Sequence, residues 1–468
     1  MSLSVVEAAD EAADGVALVV GGEPITFREL AARVAARAEL LRRQTRDLEP
    51  DRLVSLVGAS DRATLETVHA LIALGRPMLL LHPRSTEPER ASVVETIRPA
   101  RSIVPAVDLP ESATSTPAVE PIDDARCLVV LMTSGTTGRP KGVVLSRRAF
   151  LASARASEEN LALARDDRWL LGLPIAHVGG LSILTRCLLA RSAVVVPRET
   201  ALGQRLDADA LARVIDEDRV TLASLVPTQL EWLLARDPPF RPPPHLRAVL
   251  LGGAAARPAL LARAADRGVP VLTTYGLTEA CSQVTTQMVG TVNRGELGCG
   301  PPLPGVEVRV SSGVIEVRGP TLFDRFVPAP TEPALSSDGW FATGDLGRID
   351  AGGNLHVIGR RSDLVITGGE NVHPAEVESV VEQCPGVAAA CVFGVPDDAW
   401  GEILAVVLVA EPGGPPSDAD LSAFVRERLS PHRWPRRVAV LPELAVTPAG
   451  KLDRAATRAR ALGCLRPL

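Results

Sequence analysis

A run of small, polar and basic residues, LMTSGTTGRPKGVVLS at 131–146, is the stretch of this sequence best suited to binding an anion. The side chains with a donor group are Thr133, Ser134, Thr136, Thr137 and Lys141, and the glycines that permit close backbone approach are Gly135, Gly138 and Gly142. Successive backbone N–H groups in such a segment can form an anion-binding concavity. The run follows a predicted strand and precedes a helix that Ser146 would open. These features indicate a phosphate-binding loop rather than a flexible surface turn.

This loop differs from the phosphate loop of P-loop kinases and NTPases. That loop requires GxxxxGK followed by Ser or Thr. Here Lys141 follows Pro140 and precedes Gly142. The spacing therefore disfavours the P-loop class.

The segment TSGTTGRPKG resembles the phosphate loop of the adenylate-forming superfamily, which includes acyl-CoA synthetases, peptide-synthetase adenylation domains and luciferases. Five further segments resemble the other motifs of that superfamily and follow in the same order, so the resemblance covers essentially the whole chain. It implies ATP, Mg²⁺ and coenzyme A as cofactors and co-substrate, and a small carboxylic acid as the partner to be activated.

Two of these segments imply an adenine and metal site. LLGGAA at 250–255 resembles the segment whose glycines, here Gly252 and Gly253, lie along the adenine and acyl pocket; taken alone, the pair is typical of a turn. In TTYGLTEA at 273–280 the resemblance implies roles for four residues: Tyr275 and Gly276 at adenine, Thr278 at phosphate, and Glu279 as Mg²⁺ ligand. Carboxylate oxygen suits a hard cation that bridges phosphates.

The remaining segments lie in the last third of the chain. The resemblance implies that Asp345 of TGDLG and Arg360 bind the ribose, and that Gly368 and Gly369 line the pantetheine passage. Lys451 of TPAGKLDR matches the adenylation lysine, and Trp400 in DDAWGE, like GGEN at 368–371, is similar to the benzoate and succinylbenzoate CoA ligases. The hinge position, commonly Asp or Lys, is Ser362 here, so a charged hinge side chain is missing.

The reaction that the resemblance implies has two steps. The acid attacks the α-phosphate of ATP to give an acyl-adenylate and pyrophosphate, and a thiol then displaces AMP. Because an anion attacks a polyanion, cationic groups must offset the repulsion. The catalytic residues implied are Lys451 at the α-phosphate, Lys141 at the β- and γ-phosphates, Thr278 and His177.

For the acid itself, four stretches most resemble the o-succinylbenzoate–CoA ligases of menaquinone biosynthesis: 173–184, 274–286, 298–310 and 366–378. His177 matches the histidine that borders their acyl pocket, and Ala176 replaces an aromatic residue often found beside it. We expect His177, Ser282 and Gln283 to border the acyl site, where polar groups could reach the aromatic carboxylate. The alternatives are another aryl- or acyl-CoA ligase and a non-catalytic nucleotide-binding protein.

The elements that must position these residues follow an alternating pattern. Helical and strand-like stretches alternate up to about residue 290, which predicts parallel sheets with crossover helices. Capping boxes are expected at Thr26–Glu29 and at Thr228–Glu231. Period-two strands at 306–310 and 314–319 predict a barrel-like section, and Pro374 is expected at the first position of a helix.

The predicted fold class is therefore α/β with two domains. Residues 1–361 would form a large N-terminal domain of two stacked α/β subdomains plus a distorted β-barrel. Residues 362–468 would form a small, mobile α+β domain.

Composition narrows the function classes. The net charge is −6 with no basic block, which argues against a nucleic-acid partner. The seven cysteines form no CxxC pair, which predicts reduced thiols. No signal peptide and no apolar window long enough for a membrane span is expected, and a cytoplasmic location follows.

Overall fold

A computed structural model describes residues 2–105, 122–133, 141–204, 206–331, 333–367, 370–398, 400–447 and 451–468. The chain divides into two compact units. The first comprises Met1–Val308, Val317–Phe341 and Ala351–Leu355, and the second comprises Arg309–Glu316, Ala342–Asp350 and His356–Leu468. The boundary expected before Ser362 stays a prediction.

The helices of the described residues are α1 (Val5–Ala12), α2 (Phe27–Gln44), α3 (Arg62–Ala73), α4 (Glu87–Ile97), α5 (Arg147–Leu161), α6 (Val178–Ala190), α7 (Arg198–Ala201), α8 (Ala208–Glu217), α9 (Pro227–Leu234), α10 (Pro258–Asp266), α11 (Pro374–Val381), α12 (Asp418–Arg428) and α13 (Arg454–Ala461). Short 3₁₀ turns cover Thr278–Ala280, Arg361–Asp363, Pro431–Arg433 and Leu462–Cys464.

The strands of the described residues are β1 (Val16–Val20), β2 (Glu23–Thr26), β3 (Val54–Val57), β4 (Met78–Leu81), β5 (Arg101–Ser102), β6 (Cys127–Thr133), β7 (Lys141–Ser146), β8 (Arg168–Leu170), β9 (Ala193–Val196), β10 (Leu222–Leu225), β11 (Ala248–Leu251), β12 (Val271–Leu277), β13 (Ser282–Thr286), β14 (Glu307–Ser311), β15 (Val314–Arg318), β16 (Arg325–Val327), β17 (Phe341–Ile349), β18 (Leu355–Arg360), β19 (Val365–Thr367), β20 (Glu370–Val372), β21 (Val387–Asp397), β22 (Gly401–Ala410), β23 (Arg437–Val440) and β24 (Arg466–Pro467).

Two largely parallel sheets form the frame of the first unit. One has the order β13-β12-β11-β10-β8-β9-β1-β2, and the other has the order β16-β7-β6-β4-β3-β5. Their inner strands are parallel. These strands are apolar runs such as Met78–Leu81, because helices cover both faces of a parallel sheet. The expected α/β class is confirmed.

A third sheet takes up the period-two segments that the sequence showed after residue 290. It has the order β14-β15-β17-β18. Side chains of β15 alternate between buried and half-buried positions, with Ile315 and Val317 buried. The alternation observed in the sequence therefore corresponds to a sheet with one packed face.

Local sequence predicted the start of α2 correctly and the start of α9 incorrectly. The capping box at Thr26 and Glu29 is present in α2. The one expected at Thr228 and Glu231 is wrong: the N-cap of α9 is Val226, two residues before Thr228, and the side chain of Gln229 accepts the N–H of Val226 at 3.1 Å. Pro227 lacks an N–H and suits the first helical position, and this outweighs the hydroxyl of the next residue.

The second unit has its own sheet and core. The sheet order is β20-β19-β22-β23-β24, and β21 pairs with β22 along its length in an antiparallel ladder. Helix α11 begins with Pro374 at its first position, as expected. Buried residues such as Val377, Val406 and Leu421 pack into one apolar cluster.

The expectations about cysteine pairing and membrane spans can also be compared with the described residues. The seven cysteines are unpaired there. No described helix combines the length and apolar character that crossing a membrane requires.

Candidate active site

The described ends of the glycine-rich segment meet in a hairpin. Thr133 ends β6 and pairs with Lys141, the first residue of β7, and the Thr133 hydroxyl donates to the Lys141 carbonyl at 3.4 Å. The expected positions Ser134, Gly135, Thr136, Thr137 and Gly138 lie outside the described residues. Ser146 caps α5, as expected, but β7 separates the segment from that helix. A helix N-terminus therefore does not directly follow the segment.

The basic and small residues at the start of β7 have identifiable contacts. The ammonium of Lys141 lies 5.5 Å from the ring centroid of Phe326 on the neighbouring strand β16. Gly142 is buried, and a Cβ there would lie 2.8 Å from side chains of Ile97 and Val130. Packing against these two residues is thus enough to require a glycine at position 142.

A second cluster lies at the carboxyl ends of β11 and β12. These strands are parallel, so Gly252 and Tyr275 lie near the same edge of the sheet. A Cβ on Gly252 would lie 2.7 Å from Cγ2 of Thr274, and Gly253 has φ of +80°. The two glycines are therefore needed locally, because a side chain is crowded at the first and strained at the second.

The segment 275–282 makes a tight hairpin that no helix or strand pattern predicted. Tyr275 is buried in β12, and a Cβ on Gly276 would overlap the carbonyl oxygen of Ser282 in β13. Thr278 and Glu279 occupy a 3₁₀ turn, and the Glu279 carbonyl accepts the N–H of Phe323 at 2.8 Å. Side chains expected at adenine, phosphate and metal are thus held within one turn.

Whether a magnesium ion fits here depends on the donor set. No group of three or more His, Cys, Asp or Glu side chains suited to a metal occurs among the described residues. Mg²⁺ is usually held by one or two carboxylates together with substrate phosphates. A single carboxylate, Glu279, close to side chains expected at adenine and phosphate fits that mode of binding.

The polar residues that follow Glu279 differ in whether their side chains are available to contact a ligand. Cys281 and Ser282 have φ of +52° and +92°, which is uncommon for residues other than glycine. Gln283 is buried, and its amide accepts from Ser157 and donates to Thr286, each at 2.9 Å. Ser282 remains half-buried. Of the three residues expected at the acyl site, Gln283 is thus engaged inside the protein.

A buried cation behind this hairpin was missed in the sequence. Arg186 of α6 is 2% exposed, and it contacts the Ser153 hydroxyl at 3.4 Å and the Trp169 ring at 5.6 Å from its centroid. No described carboxylate pairs with it. Burial lowers the pKa of Arg186 to about 10, which still leaves it charged at neutral pH.

The position of Arg186 connects it to the Glu279 hairpin. The Ser153 hydroxyl that contacts Arg186 donates to the Cys281 carbonyl at 2.7 Å. Ser182, one turn earlier on α6, is also buried, and its hydroxyl has no partner among the described residues. An arginine in an otherwise apolar stretch, ILTRCLLA, was the only sequence signal of this site.

His177 lies at the start of the same helix. It is the N-cap residue of α6, and its ring lies 5.0 Å from that of His82 between centroids. His82 follows β4 directly and was not expected at the site. The structure thus brings a second imidazole to the residue expected at the acyl pocket.

In the second unit, the two residues expected at the ribose form an ion pair. Nε of Arg360 lies 3.0 Å from Oδ1 of Asp345. The Asp345 N–H donates to the Thr343 hydroxyl at 3.1 Å. The sequence separates the two by 15 positions, and the adjacent strands β17 and β18 bring them together.

Lys451 of the second unit is exposed, and two hydrogen bonds join it to Thr447. Its carbonyl accepts the N–H of Thr447 at 2.7 Å, and its own N–H donates to the Thr447 hydroxyl at 3.2 Å. Just after it, Arg454 pairs with Glu378 and donates to the Val392 carbonyl at 2.9 Å. The nearby carboxylates raise the pKa of Arg454. A half-buried arginine thus anchors the segment that follows Lys451.

Trp400 is accompanied by a basic residue that the sequence did not single out. The guanidinium of Arg436 lies 4.5 Å from the Trp400 ring centroid, the geometry of a cation–π contact. Trp400 is 41% exposed, so the stacked pair faces solvent. Gly368 and Gly369, expected at the pantetheine passage, lie outside the described residues. The arginines of RWPRR at 433–437 were the only sequence signal for this pair.

Comparison with protein families gives two matches. The AMP-binding enzyme family matches residues 101–324, and the AMP-binding enzyme C-terminal domain matches residues 376–451.

Curated relatives match over nearly the whole chain. A 2-succinylbenzoate–CoA ligase of Listeria monocytogenes is 34% identical, covering 94% of this chain and 95% of the relative. A 2-succinylbenzoate–CoA ligase of Bacillus pumilus is 33% identical, with 94% of each chain covered.

Solved structures agree with the fold. The o-succinylbenzoate CoA synthetase of Bacillus subtilis in complex with the acyl-adenylate intermediate OSB-AMP has a TM-score of 0.87 at 31% identity, with 97% of each chain covered. ATP-bound MatB of Rhodopseudomonas palustris also has a TM-score of 0.87, at 26% identity, covering 98% of this chain and 99% of that one.

Proposed function

Because the chain belongs to the AMP-binding enzyme family, the adenylate-forming superfamily, we propose that it joins o-succinylbenzoate to coenzyme A through an acyl-adenylate. The similar proteins named above support the acid, the thiol and the use of ATP. We also propose a cytoplasmic location, which the unpaired cysteines support.

One observation carries the choice of acid. o-Succinylbenzoate has an aliphatic carboxylate to be activated and an aromatic carboxylate that must be held. Arg186 is a buried cation for which the described residues supply no carboxylate. Burying an unpaired charge is costly, so a counter-ion that arrives with the substrate would be bound strongly. The aromatic carboxylate, directly or through a water near Ser182, would supply that charge.

In the first step, a carboxylate oxygen of the acid attacks the α-phosphorus of ATP and pyrophosphate leaves. Lys451 would stabilise the charge that develops on the α-phosphate, and Lys141 would hold the β- and γ-phosphates. Tyr275 would stack on adenine, and Asp345 with Arg360 would bind the ribose hydroxyls. A magnesium ion held by Glu279 would neutralise part of the phosphate charge.

In the second step, the thiol sulfur of CoA attacks the acyl carbon, the acyl–phosphate bond breaks and AMP leaves. The nucleotide end of CoA carries phosphates and a purine. The exposed Trp400–Arg436 pair offers a ring and a cation for such a group. We propose that residues 362–468 turn about Ser362 between the two steps, since each step needs different residues at one centre.

The test compares acids that differ by one group. Pyrophosphate release is measured with o-succinylbenzoate, with 4-phenyl-4-oxobutanoate, which lacks only the ring carboxylate, and with benzoate. We expect a large preference for o-succinylbenzoate in kcat/KM, because Arg186 would otherwise stay without a counter-ion. Equal values for the first two acids, or faster turnover of benzoate, would contradict the proposed acid and leave an acyl-CoA ligase of another specificity.

Arg186→Met provides the matched variant, because it keeps a long side chain and removes the charge. We expect it to lose most of the preference between the two ketoacids while turning over 4-phenyl-4-oxobutanoate at a rate close to that of the wild type. A preference as large as in the wild type would show that another group binds the ring carboxylate. Thermal melting of the variant is measured in parallel, since a cation leaves a buried position.

A further inference from the structure

His82 has a hydrogen-bond donor that nothing in the described structure uses. Its Nδ1 accepts the backbone N–H of Arg84 at 3.1 Å. A neutral imidazole that accepts at Nδ1 carries its proton on Nε2. Burial, followed by the nearby Arg84 and Arg90, lowers the pKa of His82, so the neutral form is favoured. The Nε2 atom is buried and has no partner among the described residues.

The segment that carries His82 is held in place by several bonds. The His82 carbonyl accepts the N–H of Ser85 at 3.1 Å, and the guanidinium of Arg90 donates to the Pro83 carbonyl at 2.6 Å. A capping box between Thr86 and Glu89 then begins α4. The ring is thus oriented before any ligand binds, which lowers the cost of using its N–H.

Sheet topology brings His82 to the edge where the site lies. Strands β3, β4 and β6 are parallel, and Leu79 is opposite Val130. Continuing that register places His82 beside Thr133, the residue at which the glycine-rich segment begins. On the other side the His82 ring lies 5.0 Å from the ring of His177. Open parallel sheets bind ligands at the carboxyl ends of their strands.

We propose that His82 is a second imidazole of the active site, which donates its Nε2–H to an anionic oxygen of a bound reactant. This inference rests on the proposed function, because the reactants are those of adenylate formation. Two anions meet here: the reacting carboxylate of the acid, on the side of His177, and a phosphate of ATP, on the side of Thr133. Both offer an oxygen that accepts a charge-assisted hydrogen bond.

Two substitutions distinguish the contribution of the N–H donor of His82 from that of its aromatic ring. His82→Phe keeps an aromatic ring and removes the N–H, whereas His82→Gln carries an amide N–H close to the position of Nε2. His245→Phe is the matched control, since His245 is a half-buried histidine of the first unit bonded to the Ile215 carbonyl at 2.9 Å. Pyrophosphate release is measured with the acid varied at saturating ATP and with ATP varied at saturating acid.

We expect His82→Phe to lower kcat/KM for one of the two reactants by about 10- to 100-fold, the loss typical of a hydrogen bond to a charged group. A loss confined to the acid identifies the carboxylate, and a loss confined to ATP identifies a phosphate. His82→Gln should retain most of the activity, and His245→Phe should change neither value. Unchanged kinetics in His82→Phe, or equal losses in His82→Phe and His82→Gln, would overturn the proposal.

A measurement on the wild-type protein covers the case in which His82→Phe does not fold. The imidazole Nε2–H resonance of His82, identified in ¹⁵N-histidine-labelled protein by its absence in His82→Gln, should shift when ATP or the acid is added. A resonance that moves with neither reactant overturns the proposal. Failure of the proposed function is distinguishable, because the wild type would then release no pyrophosphate with o-succinylbenzoate.

Discussion

At the scale of single residues, the role proposed for Lys451 is the one most specific to a single half-reaction. The backbone of Lys451 is bonded to Thr447 and the half-buried Arg454 follows three residues later, while Lys451 itself is exposed. An exposed ammonium on an anchored backbone can approach a ligand and withdraw from it. Such a group can serve the α-phosphate in one step and be dispensable in the other.

Lys451→Ala should therefore lower adenylate formation by about 10²- to 10³-fold, as for the removal of one strong transition-state contact. Thioester formation from supplied acyl-adenylate and CoA should be much less affected. Both half-reactions are measured on the same preparation of the variant. An equal collapse of the two would contradict a role limited to adenylation.

Glu279 provides a second prediction at this scale. Its main-chain carbonyl is bonded to Phe323, so the 3₁₀ turn does not depend on the carboxylate alone. Glu279→Gln should raise the Mg²⁺ concentration needed for half-maximal activity and leave the melting temperature nearly unchanged, because the amide keeps the shape and loses the charge. A Mg²⁺ titration that coincides with that of the wild type would rule out the ligand role.

At the scale of elements, the start of α9 differs from the capping pattern that the local sequence predicted. Gln229, and not the Thr228–Glu231 pair, bonds the N-cap residue of this helix. We expect Gln229→Ala to lower the free energy of unfolding by about 0.5–1 kcal/mol, the range of a lost cap bond. Thr228→Ala is the neighbouring control and should have a smaller effect. Urea denaturation followed by circular dichroism gives both values, and the reverse order would support the sequence-based expectation.

Strand pairing also determines which site residues lie close together. Asp345 and Arg360 meet because β17 and β18 are neighbours, and His82 and Thr133 stand at the carboxyl ends of β4 and β6, which are also neighbours. Each pair combines residues that are far apart in sequence or have no recognisable motif. A strand pattern predicts that these segments are extended, but it does not predict which strands pair.

At the scale of the whole molecule, the charge of buried groups links stability to pH. His69 is fully buried in α3 near Glu66, and burial lowers its pKa to about 4. In the unfolded chain a histidine takes up a proton near pH 6.5. Between those two values the unfolded state binds the additional proton, so stability falls as the pH falls.

Going from pH 7 to pH 5, this one group should remove about 2 kcal/mol of unfolding free energy from the first unit. His69→Leu, which cannot titrate, should show a correspondingly smaller dependence on pH than the wild type. Calorimetry of both proteins at the two pH values measures the difference. Identical pH dependence in the two proteins would show that His69 keeps an ordinary pKa.

Local signals in the sequence were sufficient for the parts of this protein that depend on neighbouring residues. The alternating pattern gave the α/β class, capping residues marked α2 and α5, and motif order indicated the family. Each helix, strand, cap or motif that contributes to these features is recognised from residues close together in the sequence.

The long-range contacts required the folded chain. Burial turned Arg186 into a cation without a described counter-ion, and Gln283 was drawn inward to Ser157 across 126 positions. The donor of His82 became available through a bond to its own loop and its place at a sheet edge. Burial and strand neighbours arise only from tertiary packing. The sequence alone therefore does not distinguish a solvated side chain from a structural or a functional one.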